Sequence, residues 1–198
     1  MTLTDDRSAP SAAPRRAMID SQLRTSGVNE PWVLAAMNAV AREDFVPEAM
    51  RSAAYIDRAI PLGDGRMLAA PLVHARMLAE AAPTAEDKVL LVGDGAGYLA
   101  ALLRPLAGAL DAISPQDCAK AGDGHYTLIV IDGAAETVPE PLAARLAEGG
   151  RIVTGLVERG VTRLAVGCKT GGDVALLPLA EMGIPVLPEL AAPKRWSF

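Results

Sequence analysis

The stretch Lys88-Val-Leu-Leu-Val-Gly-Asp-Gly-Ala-Gly-Tyr98 constrains this chain more than any other. Its apolar run is a candidate buried strand, and the alternating glycines Gly93, Gly95 and Gly97 close it before Leu99-Ala-Ala-Leu-Leu103, which reads as helix. Glycines that open a helix let its first N–H groups face a ligand, so the loop describes the floor of a nucleotide-type pocket. The first two glycines match the dinucleotide pattern G-x-G-x-x-G, but Tyr98 occupies the place of the third, which fits a nicotinamide cofactor poorly. A plain strand-to-helix turn is the alternative.

Strand and helix signals alternate around this loop. Ala109 to Ile113 is a short strand candidate, and the uniformly apolar Tyr126-Thr-Leu-Ile-Val-Ile131 is a stronger one, ending at Asp132-Gly133. Pro139 to Leu146 reads as helix, Gly149-Gly150 as a turn, and Arg151 to Val157 as strand. That alternation predicts a doubly wound parallel sheet. Period-two patterning over Thr162 to Cys168, a turn at Lys169-Thr-Gly-Gly-Asp173, and Val174 to Leu179 predict an antiparallel hairpin at one edge. Upstream, Met18, Ile19 and Leu23, then Val33, Leu34, Met37 and Val40, form single apolar stripes. A third helix opens at Pro71 and ends before Pro83. The expected organisation is a disordered tail over 1–14 and one domain over 15–198, with a helical layer over 15–84 and the sheet over 85–198.

At 198 residues and 51% apolar, the chain has material for one large core. A net charge of -5 offers no basic footprint for nucleic acid, and no apolar run approaches the roughly 18 residues that span a bilayer. Cys118 and Cys168 are too few for a disulfide framework, and no signal-peptide pattern precedes residue 20, so a cytoplasmic location is expected. His74 reads as a packed histidine and His125 heads a strand; neither has partners at metal-ligand spacing, so no metal site is expected.

The order of these pieces resembles the protein-L-isoaspartate O-methyltransferase family. The resemblance covers most of the chain from Arg16. Its carriers are Arg16-x-Met18 with Gln22-Leu23, Val33-Leu-Ala-Ala-Met37, Arg42-x-x-Phe45-Val-Pro47, Ala54-Tyr55-x-Asp57, Ile60-Pro-Leu-Gly63-x-Gly65, Pro71, Ala75-Arg-Met77, and Gly93-x-Gly95-x-Gly97-Tyr98-x-Ala100-Ala101, with Pro139 and Glu148-Gly-Gly-Arg151 farther on. The glycine spacing is that of S-adenosyl-L-methionine (SAM) methyltransferases. The resemblance implies a Rossmann-like α/β fold and SAM lying over Gly93, Asp94, Gly95, Ala96, Gly97 and Tyr98. It implies carboxyl methylation of isoaspartyl peptides or proteins, with Tyr55-x-Asp57 shaping the cleft.

Four departures bear on that chemistry. The family's active-site serine falls on Ala69, its acid two residues before the first glycine on Leu91, and its ribose-binding Glu on Ser114. Asp111 and Asp117 flank Ser114 by three residues, which on an extended strand is about 10 Å and the wrong face. Only eleven residues separate Ser114 from Tyr126, too few for a crossover helix and a further strand. The sheet is therefore expected to be shortened by about one strand-helix unit, with Pro115 to Gly124 draped over the exposed edge, and homodimerisation stays open. Expected function is a weakened isoaspartate methyltransferase; the alternative is a catalytically inactive binding module. Asp132, at a strand's carboxyl end, and Asp64, between two loop glycines, are the candidate site acids, against a helix cap and a solvated turn respectively.

Overall fold

The computed structural model describes residues 9–120 and 122–193. Residues 1–8 of the expected tail lie outside them. The first helix, α1 (Ala9–Met18), begins ahead of Arg15, the expected start. Alanines favour the helix, and Pro14 removes only a bond that would have reached the first turn. Arg15 anchors this helix, donating from Nη1 to the Asn38 carbonyl at 2.8 Å and from Nε to the Tyr55 hydroxyl at 2.9 Å. A π-helical turn, Ile19–Leu23, continues α1 and buries Ile19 and Leu23. Helix α2 (Pro31–Ala39) buries Val33, Leu34, Ala36 and Met37. Helix α3 (Pro71–Ala81) starts at its proline and stops before Pro83, as the sequence predicts.

Between α2 and α3 lies a two-stranded hairpin, β1 (Ile60–Gly63) and β2 (Arg66–Leu68), with the Asp64 loop at its tip. Asp64 and Gly65, at φ +51° and +75°, make its two-residue turn, and an Asp-Gly pair suits a turn that needs φ above zero at both positions.

The main sheet contains β3 (Lys88–Val92), β4 (Ala109–Ile113), β5 (Tyr126–Ala135), β6 (Leu146–Glu158), β7 (Val161–Thr170) and β8 (Asp173–Glu181) in the order β4-β3-β5-β6-β7-β8. β4, β3, β5 and β6 run parallel; β7 and β8 form the expected antiparallel hairpin. This is the doubly wound, Rossmann-like α/β sheet, with β4 at its edge among the described residues. Alternate side chains divide between two cores. Val89 and Leu91 of β3 with Leu128 and Val130 of β5 pack under the helical layer. Leu90, Val92, Ile129 and Ile131 face Cys118, Leu142, Leu146 and Leu190.

Helix α4 (Tyr98–Leu103) follows the glycines, and α5 (Glu140–Ala144) is shorter than Pro139 to Leu146 because β6 already pairs at Leu146. β6 pairs with β5 at Leu146 and next at Arg151, and Gly149 at φ +75° lies in the intervening bulge, where the sequence shows a turn. Of the segment Pro115 to Gly124, expected to drape over the β4 edge, Pro115 to Lys120 turn to the second face instead. A 3-10 turn, Pro115–Asp117, sends it across the second face, where Cys118 is fully buried and the Lys120 carbonyl accepts a bond from Arg145 at 2.9 Å. Burying Cys118 beside Leu90 and Ile129 outweighs shielding a short edge that carries the charged Asp111. Burial also pushes the Cys118 thiol up to about 11.

One ion pair ties the base of the sheet together. Arg151 on β6 grips Asp87, just before β3, with both nitrogens at 2.9 and 2.8 Å. Asp87 also accepts from the Thr127 hydroxyl on β5 at 2.7 Å and the Thr84 N–H at 2.8 Å. Arg151 donates onward to the carbonyls of Ala81 and Ala82, closing the end of α3, where Ala82 adopts a left-handed conformation at φ +39°. Arg151, followed by the other hydrogen bonds, holds the Asp87 carboxyl well below the usual carboxylate range. A carboxyl with a depressed folded-state pKa stabilises above its unfolded value and loses that contribution as pH falls below it. Asp87→Ala should therefore cost about 3 kcal/mol at pH 7, as for a broken buried pair, with the deficit shrinking below about pH 4; urea denaturation of both proteins at pH 7 and pH 3 checks it.

Candidate functional site

The chain leaves β3 for β4 on one side and returns to β5 on the other, so the sheet reverses direction between the carboxyl ends of β3 and β5. Ligands of open α/β sheets bind at such a reversal. There the structure opens a cavity of about 1080 Å³. Its walls come from the glycine loop, the carboxyl ends of β4 and β5, the β1–β2 hairpin, and the carboxyl-terminal segment from Pro185 to Glu189.

Local bonds shape the loop. Asp94 accepts the Ala96 N–H on its side chain at 2.9 Å and the Gly97 N–H on its carbonyl at 2.9 Å, and Arg104 donates to the Gly95 carbonyl at 3.0 Å. A Cβ on Gly95 would stand 2.9 Å from Ala112 Cβ, and one on Gly93 would stand 3.0 Å from Asp132 Cβ. Glycine is therefore needed for the loop to lie against β4 and β5, and it leaves the cavity floor bare. Across the mouth, Arg66 of β2 reaches Asp94 at 3.4 Å.

All six expected cofactor residues, Gly93, Asp94, Gly95, Ala96, Gly97 and Tyr98, line this cavity, and so do both candidate acids, Asp64 and Asp132. Their situations differ. Asp64 is exposed at the hairpin tip. The Tyr98 side chain is 1% exposed, edge-on to Phe45 with its hydroxyl 3.6 Å from Met37 Sδ, so it fastens the helical layer to the loop. Burial pushes its phenol well above the usual tyrosine range. Asp132 sits where the β5–β6 register shifts between Val130 and Ala134, and its side chain lines the cavity. It caps no helix, the other reading the sequence allows, since α5 begins only at Glu140.

Behind Asp132 runs a buried polar chain. His74 Nε2 lies 3.0 Å from Asp132 Oδ1, and His74 Nδ1 lies 3.3 Å from Arg42 Nη1. Arg42 and His74 are both fully buried. Arg42 donates from Nε to the Ala54 carbonyl at 2.7 Å and from Nη2 to the Ala69 carbonyl at 2.5 Å, and its guanidinium stacks 5.0 Å from the Tyr98 ring centre. Guanidinium nitrogens only donate, so Nδ1 of His74 accepts and Nε2 carries the hydrogen that goes to Asp132. Burial lowers Arg42 to about 10, which leaves it cationic at neutral pH. The sequence marks His74 only as a packed residue and gives Arg42 no role of its own. The apolar surroundings of a histidine on α3, facing a strand-end aspartate, are the signal that was available.

Other expectations resolve differently. Asp117 is not an extended strand's length from Ser114: β4 ends at Ile113, and the following turn folds Asp117 back so that the Ser114 hydroxyl donates to it at 2.8 Å. Lys120, then Ser114, keep that exposed carboxyl ionised below its ordinary range. Ser114 lines the cavity beside Gln116, whose amide donates to Glu189 at 2.6 Å, whereas Asp117 is not part of the wall. Tyr55 and Asp57 do not line it either; the Tyr55 hydroxyl bonds Glu43 and Arg15 instead. Ala69 is buried behind the wall. No cluster of three or more metal-ligating side chains occurs among the described residues.

The family model described as protein-L-isoaspartate(D-aspartate) O-methyltransferase matches residues 14–114, ending one residue past β4. A protein-L-isoaspartate O-methyltransferase 2 of Anaeromyxobacter sp. is 38% identical over 75% of this chain and 74% of its own length. The Methanoculleus marisnigri protein-L-isoaspartate O-methyltransferase is 31% identical over 86% and 89%. Among solved structures, a Plasmodium falciparum protein described as a protein-L-isoaspartate O-methyltransferase, in complex with S-adenosyl-L-homocysteine, superposes with a TM-score of 0.71 at 18% identity, covering 88% of this chain and 98% of that one. That likeness bears on the fold, while the family-model match and the 31–38% identities to these relatives bear on descent. The chain belongs to the protein-L-isoaspartate(D-aspartate) O-methyltransferase family.

Proposed function

We propose that this protein binds SAM and transfers its methyl group to the carboxylate of isoaspartyl peptides or proteins, as a repair enzyme of the cytoplasm. The observation that carries this reading is the cavity of about 1080 Å³ over a side-chain-free glycine floor at the sheet reversal. The residues present fit the cofactor: the floor is bare, and among the described residues the wall carries Asp44, Asp64, Asp94, Asp132 and Glu189 against a single basic residue, Arg66. Such a field favours a cationic ligand. When bound, SAM supplies a methyl group on positively charged sulfur, which an ionised carboxylate attacks without help from a base.

The chain's own work is then to bind and to aim. The side-chain-free glycine floor lets the cofactor lie close against the loop, and Arg66, opposite Asp94, draws the acceptor carboxylate into an otherwise negative cavity. Ala69, where the resemblance puts the family's serine, is buried behind the wall and supplies no hydroxyl to the cavity. The free thiols Cys118 and Cys168 suit a reducing compartment.

A second reading, a binding module without catalysis, is favoured by the end of β4. The Ser114 hydroxyl is already given to Asp117 and the Gln116 amide to Glu189, so no preformed carboxylate fork awaits a ribose there.

Thermal denaturation with millimolar SAM or S-adenosyl-L-homocysteine separates these. A ligand at 100 times its Kd adds about 2.7 kcal/mol, and the expected result is a clear rise in Tm with both. Labelled methyl should then reach an isoaspartyl peptide and not its aspartyl counterpart; a Tm rise without transfer favours the binding module, and no rise overturns the methyltransferase reading. Arg66→Ala should lower kcat/KM for the isoaspartyl peptide by roughly 10²–10³ while leaving the Kd for SAM within a factor of three, read by steady-state kinetics and calorimetry.

A further inference from the structure

We propose that Asp132 is the counter-charge for the sulfonium of SAM, and that His74 and Arg42 are buried to hold it in that position. The inference rests on the SAM-binding reading above and deepens it by assigning a residue to the cofactor's charged centre.

Three observations carry it. The first is place. Asp132 ends the straight part of β5 directly across from Gly93, so the two residues flank the sheet reversal. A nucleoside whose sugar lies toward Ser114, just past β4, extends its other end over Gly93 and toward β5. The second is aim. Oδ1 is taken by His74, while Oδ2 has no hydrogen-bond partner among the described residues and lies 3.8 Å from where a Gly93 Cβ would stand. The carboxylate thus keeps one oxygen for a ligand over the bare glycine.

The third is expense. A fully buried guanidinium and imidazole are rarely better for stability than apolar side chains of the same size. Arg42 gives two further donors to the Ala54 and Ala69 carbonyls, so the array is anchored from two loops. With Nδ1 facing Arg42, His74 can present only a hydrogen to Asp132, which sets the orientation of the carboxylate. His74 and Arg42 are positioning residues; neither lines the cavity.

The assignment divides the cavity's charges by purpose. Arg66, on the hairpin wall, receives the anionic acceptor, and Asp132, on the β5 wall, receives the cationic cofactor. When the methyl group leaves, sulfur keeps the bonding electron pair and becomes neutral, so the product S-adenosyl-L-homocysteine loses this attraction. Asp132 therefore favours the cofactor over its spent form. It also stabilises the charged ground state more than a transition state in which that charge is being cancelled, so its loss should raise the KM for SAM without lowering kcat.

Calorimetry with SAM and S-adenosyl-L-homocysteine tests this on the intact protein. Asp132→Asn keeps the shape and can still accept from His74. It should weaken SAM by tenfold or more and S-adenosyl-L-homocysteine by less than threefold. Asp132→Ser repeats the comparison should the Asn protein not fold. His74→Ala should erode the same SAM preference, and His74→Gln, which retains a donor, should restore most of it; a purely structural role would weaken both ligands alike. An equal loss of both ligands, or no change in either, in Asp132→Asn overturns the assignment while leaving SAM binding intact. If the wild-type protein binds neither ligand, the methyltransferase reading itself falls, and this assignment with it.

Discussion

A single buried cation organises the upper half of this molecule. Arg42 has no exposed surface, and its guanidinium meets the Ala54 carbonyl, the Ala69 carbonyl, His74 and the face of Tyr98. Those partners come from the segment after the Glu48–Ala53 turn, the end of the β1–β2 hairpin, helix α3 and the start of α4. An unpaired charge in such surroundings would cost several kcal/mol, so each partner is held to its place by the need to satisfy it. The N-terminal layer is thus fastened to the glycine loop by electrostatics as well as by the packing of Met18, Leu23 and Met37.

A second fastening works at the opposite end of the strands. Asp87 and Arg151 bring together the end of α3 and the beginnings of β3, β5 and β6. The two networks differ in purpose. The lower one is closed on itself, every oxygen of Asp87 being used, whereas the upper one ends in a carboxylate with an oxygen turned to the cavity. A fully satisfied array stabilises a fold; one left open at a cavity serves a ligand.

Much of this was legible in the residues. The apolar run Val89–Val92 and the uniformly apolar Tyr126–Ile131 mark buried parallel strands, Pro71 and Pro83 bracket α3, and the glycine spacing marks the cavity floor. What escaped depended on contacts between distant segments. Tyr98, beside the glycines in sequence, puts its ring into the core because Phe45 and Arg42 approach from the helical layer. Asp117 returned to Ser114 because the chain curls where strand geometry was assumed. Arg42 and His74 could not be joined from spacing alone, since they are 32 residues apart and meet only when α3 docks. The Asp64-Gly65 hairpin was the one local feature within reach, since its turn chemistry is written in two adjacent residues.

The brief connection between β4 and β5 changes which part of the polypeptide builds the ligand's enclosure. With no crossover helix among the described residues of that connection, Leu190 seals the second core, the Ala134 backbone pairs with Pro185 and Leu187, and Glu189 meets Gln116 beside the cavity. The wall on this side is thus built by Pro185 to Glu189. The binding chamber therefore exists only when Pro185 to Glu189, far from the glycine loop in sequence, have docked against β4 and β5, so its shape is set by long-range packing.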